Sequence, residues 1–236
     1  MATENNWIKT NIKERLINSK VEFFFTYEQK NSNTISFHEA SRQVVEKIVK
    51  KHDNIFIPLS GGMDSEYVFN CFLNRKFTPI IVDTSANKKE SAYAFRRCEE
   101  TDIKPIVIEK TEKELVQIYY EQIYKKLRGK GINSIATYIA AKYADDNNGV
   151  AVIGEHGYDG LYEWDFYNDA LIHEENSIYF FMYDQQIFDA MKREYRKGEN
   201  HQLFKQRIYN IPIRPKMKYE YSKKARDVLL RLVSMI

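Results

Sequence analysis

The stretch Phe56-Ile57-Pro58-Leu59-Ser60-Gly61-Gly62-Met63-Asp64-Ser65 constrains this chain most. An apolar run breaks into Ser-Gly-Gly-x-Asp-Ser and resumes as Glu66-Tyr67-Val68-Phe69-Asn70-Cys71-Phe72-Leu73. Asn54 to Leu59 is short and bounded by polar residues, which predicts a strand, and after Asp64 the residues Val68, Phe69, Phe72 and Leu73 share one helical face. Strand, glycine turn, helix is an arrangement that receives anions. The glycines let the backbone fold back on itself, and the unpaired N–H groups of the helix's first turn face whatever sits in the turn. Ser60 and Ser65 add hydroxyl donors, so phosphate oxygens could be held there without a lysine. The plainer alternative is a strand-to-helix turn that uses glycine for geometry and Ser or Asp as a cap. Neither Gly-x-x-x-x-Gly-Lys-Ser/Thr nor Gly-x-Gly-x-x-Gly occurs, which sets aside the two commonest glycine-rich nucleotide loops.

A strand–helix rhythm surrounds this stretch. Ser36-x-x-Glu39 is a capping-box pattern ahead of Ala40, Val44, Val45, Ile48 and Val49, predicting a helix that feeds the first strand. Pro79 to Asp83 reads as a buried strand followed by a helix over about 89–101, and Pro105 to Ile108 as the next strand. Thr111-x-x-Glu114 caps another helix, a further one runs over about 134–146, and Val150 to Ile153 is a fourth strand. Such alternation predicts an α/β fold with a doubly wound parallel sheet covered on both faces, with ligands beyond the carboxyl ends of the strands. The boundaries expected are a leading element over 1–35, a nucleotide-binding α/β domain over 36–160 and a C-terminal helical, aromatic-rich lobe over 161–236.

In that last region the rhythm stops and aromatics crowd in, among them Tyr162, Trp164, Tyr179, Phe180, Phe181, Tyr183, Phe188 and Phe204. A small satellite core explains them better than a substrate pocket. Residues 184–197 look helical, the segment from Ile211 to Lys218 is extended and basic because two prolines forbid a helix, and 222–236 is an amphipathic helix with Val228 and Leu229 on its apolar face.

With 36 Lys and Arg against 33 Asp and Glu, the net charge of +3 names no partner. Only Cys71 and Cys98 occur and no secretory or membrane-spanning stretch is seen, which predicts a cytoplasmic setting and no membrane partner. Both cysteines read as packing residues, and His38, His52, His173 and His201 lack ligand spacing.

Ser60 to Ser65 resembles the pyrophosphate-binding loop of the PP-loop ATP pyrophosphatase superfamily, whose members activate a carbonyl as an adenylate. The helix leading into a strand that ends Leu-Ser-Gly-Gly-x-Asp-Ser is similar to the synthetase domain of asparagine synthetases and β-lactam synthetases, and the resemblance spans roughly Ser36 to Lys218. It implies an adenine nucleotide α-hydrolase-like sheet and an AMP-forming, C–N bond-forming ligase using ATP and Mg²⁺. Leu59, Ser60, Gly61, Gly62, Asp64 and Ser65 would then bind nucleotide, and Val82 and Asp83 at the second strand's end would meet the adenosine. For Asp83 an ordinary helix entry is an equal alternative.

The segment from Gly154 through Glu155, His156, Gly157, Tyr158 and Asp159 to Gly160 resembles the family's Ser-Gly-Glu-Gly-Ser/Ala-Asp-Glu segment. Gly154 and Gly157 would line the nucleotide, and Asp159 would share the magnesium with Asp64. Aligning Asp159 without a gap puts His156 at the family glutamate, whereas keeping Glu155 there needs an insertion. The resemblance further implies a closing segment with an essential cation, for which Lys216, Lys218 and Arg214 are the candidates.

The chain begins Met1-Ala2-Thr3 rather than with the family's glutaminase domain. Nitrogen is therefore expected from ammonia, from a substrate amine or from a separate glutaminase, with a small-molecule carboxylate as acyl donor. Two alternatives stay open: a PP-loop enzyme that modifies a nucleobase in RNA or DNA, which the cluster Lys125, Lys126, Arg128 and Lys130 permits, and an inactive nucleotide-binding subunit.

Overall fold

The computed structural model describes residues 8–10, 25–27, 35–122, 135–154, 177–196, 198–214 and 223–234. Two three-residue strands, β1 (Ile8–Thr10) and β2 (Phe25–Tyr27), pair antiparallel. The α/β unit follows in the order α1 (Phe37–Lys51), β3 (Ile55–Pro58), α2 (Met63–Cys71), β4 (Thr78–Thr84), α3 (Lys88–Glu100), β5 (Ile106–Lys110), α4 (Glu112–Ile118), α5 (Ile135–Asp146), β6 (Val150–Ile153) and β7 (Ser177–Tyr179). A 3-10 turn (Phe180–Met182), α6 (Gln185–Glu194), α7 (His201–Tyr209) and α8 (Lys223–Ser234) complete it.

The local reasons are those the sequence supplies. Ser36 caps α1 by accepting from Glu39 N at 3.2 Å, and Thr111 and Glu114 form a reciprocal capping box on α4. Asp184 caps α6 through Ile187 N at 3.1 Å, and Asn200 caps α7.

The larger sheet is wholly parallel, ordered β5-β4-β3-β6-β7. Alternate strand residues serve opposite faces. Ile55, Ile57, Ile81 and Val152 join a core with α1, α2, α3, α6 and α7, while Phe56, Ile80, Val82 and Ala151 join another with α4, α5 and α8. Burial on both faces is why these strands read as continuous apolar runs rather than alternating ones.

Three findings go beyond the sequence pattern. Ser177–Tyr179 is a fifth parallel strand, paired with β6, which its three residues were too short to announce. Phe180, Phe181, Tyr183 and Phe204 belong to the main core rather than to a satellite, because the chain returns to the sheet at β7 and carries them with it. On α8, Val228 is 38% exposed while Ala225 and Leu229 are buried, so Val228 lies off the buried side of that helix.

From β3 the chain steps outward to β4 and β5, then crosses back to β6 on the other side of β3. The order therefore reverses between β3 and β6. At such a switch point the connections leave in opposite directions and open a crevice beyond the strand ends, the usual ligand position of a parallel sheet.

Candidate functional site: the glycine turn after the central strand

The turn Ser60–Ser65 lies at this switch point, between the end of β3 and the start of α2. Leu59 N still bonds Ile80 O at 2.8 Å, so sheet pairing persists up to the turn. Ser65 Oγ then receives Ser60 N at 3.2 Å, stands 3.0 Å from Ser60 Oγ and donates to Gly62 O at 3.1 Å, while Gly62 N donates to Ser60 Oγ at 3.2 Å. The two serines thus brace the turn from within. Gly61 has φ +92°, and a Cβ there would stand 2.0 Å from Glu90 O. Only glycine fits both the angle and the space. Gly62 is the N-cap of α2 and supplies no side-chain cap, so the first turn of the helix keeps its donors for a ligand.

Across the switch point, Gly154 closes the end of β6 against this turn. A Cβ on it would stand 2.7 Å from Asp64 O and 2.8 Å from Ser65 Cα. The structure thus brings together Leu59, Ser60, Gly61, Gly62, Asp64, Ser65 and Gly154. Glu155, His156, Gly157, Asp159, Lys216 and Lys218 lie outside the described residues.

Helix α7 covers the first turn of α2. Lys205 Nζ reaches Asp64 Oδ2 at 2.6 Å and Tyr209 OH donates to Asp64 Oδ1 at 2.9 Å. Neither partner was legible in the sequence. Tyr209 is held by an aromatic stack: its ring lies 4.5 Å from that of Tyr67 and 5.6 Å from that of Phe181. The aromatic crowd is thus the footing on which α7 stands over the turn.

Arg214 meets the turn at Gly61 rather than at Asp64. Its guanidinium donates to Gly61 O and to the Glu66 carboxylate, and stacks over Tyr93 with 4.6 Å to the ring centroid. Burial raises the Glu66 carboxyl above its usual range, while Arg214 and Arg97 oppose the rise. Behind Arg214 a cavity of about 500 Å³ runs between α2, α3 and the segment 210–214.

Glu90, on the first turn of α3, leans over the glycines. Its Oε1 would lie 3.8 Å from a Cβ on Gly62, and burial pushes its carboxyl up to about 7. No hydrogen bond or ion pair to the Glu90 carboxyl is found among the described residues, so nothing offsets that burial. Nothing in the sequence pattern singled it out.

At the end of β4, Val82 is buried and its carbonyl accepts from Asn87 Nδ2 at 2.9 Å. Asp83 accepts from Ser91 Oγ at 2.8 Å and from Lys88 Nζ at 3.0 Å. Asn87 Oδ1 further takes Thr84 N at 2.9 Å, so Asn87 and Asp83 together build the entry to α3. Burial pushes the Cys71 thiol up to about 12 and the Cys98 thiol to about 11, as inert packing thiols require.

The phosphates of ATP fit the turn, which offers backbone donors and a helix N-terminus. Magnesium fits less well. Both Asp64 oxygens accept hydrogen bonds from α7, and among the described residues no three His, Cys, Asp or Glu side chains gather to hold a metal.

No family model and no curated protein matches the chain. Among solved structures it is similar to an NMN synthetase from Francisella tularensis, with a TM-score of 0.45 and 14% identity over 85% of this chain and 94% of that one. An NH3-dependent NAD synthetase from Campylobacter jejuni gives 0.45 and 18% over 86% and 92%. A glutamine-dependent NAD+ synthetase from Acinetobacter baumannii gives 0.44 and 11%, with 89% of this chain matching 46% of that one. Similarity this distant transfers no substrate to this chain.

Proposed function

We propose that this chain is an ATP-dependent, AMP-forming ligase that joins a small-molecule carboxylate to ammonia or an amine. The observation that carries the proposal is the braced Ser60–Ser65 turn at the switch point of an all-parallel sheet, with its glycine at φ +92° and its helix N-terminus free of a side-chain cap. Phosphate oxygens accept from the N–H groups there, and the helix dipole adds to the attraction.

A carboxylate oxygen attacks the α-phosphorus, the bond to the β-phosphate oxygen breaks and pyrophosphate leaves with that electron pair. The amine then attacks the acyl carbon, AMP departs with the carbon–oxygen pair and the amine loses a proton. Negative charge grows on the leaving phosphates in the first step, and the turn's amides are pre-oriented to receive it without reorganisation. The loop itself does not choose the group adenylated; the resemblance of the helix and strand leading into Leu-Ser-Gly-Gly-x-Asp-Ser, and of the sequence from Gly154 to Gly160, to asparagine synthetases favours a carboxylate over a nucleobase.

Carboxylate-dependent exchange of labelled pyrophosphate into ATP tests the proposal. Exchange with at least one member of a broad acid panel is expected, together with its loss in Asp64→Asn. Absence of exchange with every acid overturns it. The Asn variant is preferred because its amide oxygen still accepts a hydrogen bond from α7, whereas Asp64→Ala leaves both Lys205 and Tyr209 without an acceptor; since either variant removes the charge opposite Lys205, folding is checked alongside exchange.

A further inference from the structure

Two groups one helical turn apart on α7 grip the two oxygens of a single carboxylate, Lys205 on Asp64 Oδ2 and Tyr209 on Asp64 Oδ1. Residues i and i+4 share a helical face, so docking α7 presents both at once. The helix has little freedom to withdraw them, since Phe204, Ile208 and Tyr209 are all 4% exposed or less and Tyr209 stacks on Tyr67. Lys205 is itself only 7% exposed. Taking an ammonium out of water is costly even opposite a carboxylate, and a well-packed apolar pair would stabilise such a place at least as well. Stability alone is therefore a poor reason for a lysine here. Its position against the first turn of α2 supplies a better one, because a charge in poorly solvated surroundings acts on a neighbouring anion with little screening.

We infer that Lys205 is the resident counter-cation of Asp64, so that this carboxylate holds no free divalent ion and the ammonium from α7 cancels its negative charge beside the phosphate turn. A divalent ion approaching Asp64 meets a like charge 2.6 Å from the nearer oxygen, and the farther oxygen already accepts from Tyr209. Magnesium requires near-octahedral oxygen ligands at short distance and sheds its water reluctantly, so it does not displace a buried ammonium to gain one carboxylate. Any metal that takes part in the reaction is then carried in on the phosphates.

The test is a manganese titration of the full chain without nucleotide, followed by electron paramagnetic resonance. The wild type is expected to show no manganese site that Asp64→Asn removes. Lys205→Met is expected to gain one, about tenfold or more tighter than anything in the wild type, and Lys205→Met combined with Asp64→Asn to lose it again. An Asp64-dependent manganese site in the wild type overturns the inference, as does a folded Lys205→Met that gains none. Should Lys205→Met fail to fold, the wild-type titration and Lys205→Gln decide between these outcomes.

A second measurement, calorimetric binding of pyrophosphate in excess EDTA, rests on the proposed phosphate turn. Binding about tenfold weaker in Lys205→Met but retained in Lys205→Arg supports the inference, and equal binding in Lys205→Met overturns it. Loss of pyrophosphate binding in every chain, wild type included, overturns the ligase proposal instead and leaves the manganese result to decide the role of Lys205.

Discussion

Arg214 grips the carbonyl of Gly61 from outside the turn that this glycine begins. A trans peptide points its C=O and N–H in opposite directions. Holding the Gly61 carbonyl outward therefore aims the Gly62 N–H inward, where it meets Ser60 Oγ at 3.2 Å. The same guanidinium reaches Glu66 and Tyr93, so one side chain joins α2, α3 and the segment after α7. The guanidinium is thus turned to the carbonyl side of the turn.

Replacing Arg214 should therefore loosen the turn rather than abolish chemistry. Arg214→Ala is expected to raise the KM for ATP about tenfold with a smaller change in kcat. Arg214→Lys should recover little of this, because an ammonium cannot span two acceptors and stack on a ring at once. Steady-state exchange kinetics separate the two constants, and a loss confined to kcat contradicts the positioning role.

Two glycines with positive φ give a matched comparison. Gly198 has φ +80° and nothing within 4 Å of an added Cβ, whereas Gly61 would drive a Cβ into the Glu90 carbonyl. Gly198→Ala should cost about 1 kcal/mol from the dihedral alone. Gly61→Ala should cost about 3 kcal/mol or more, since strain and a backbone collision act together. Urea unfolding of both variants measures the difference.

Glu90 predicts a pH dependence whose sign follows from its raised carboxyl. The unfolded chain loses this proton near 4.5, whereas the folded chain keeps it until about 7. Between those values the native state binds more protons than the unfolded state, so its contribution to stability declines as pH rises and levels off above about 7. Partial exposure screens the effect to about 1–2 kcal/mol. Glu90→Gln should remove that slope from denaturation curves. It should also flatten the weakening of pyrophosphate binding above neutrality, because an ionised carboxylate beside Gly62 repels the anion.

Tyr209→Phe keeps the stack on Tyr67 and Phe181 but removes the hydroxyl from Asp64 Oδ1. About 1 kcal/mol of stability should be lost in thermal unfolding, with α7 still docked. Retention of full stability would mean that water replaces the hydroxyl at no cost.

The sequence alone determined the turn and most of the elements around it, β7 and α7 excepted. Caps at Ser36 and Thr111, apolar runs at Ile55 to Ile57 and Val150 to Ile153, and glycines at 61 and 62 are local instructions written within a few residues of where they act. Alternation of such elements left little choice but a parallel sheet, and so placed Ser60 to Ser65 at a strand end. Tertiary structure decided what surrounds that turn. Lys205 and Tyr209 meet Asp64 across 141 and 145 residues, and Arg214 meets Gly61 across 153. A lysine, a tyrosine and an arginine on ordinary amphipathic or extended segments carry no periodic mark of such partners. They become a site only when burial of Phe181, Phe204 and Tyr209 in the main core sets α7 over the first turn of α2, for the apolar faces fix where the helix lies and its polar groups must find partners there.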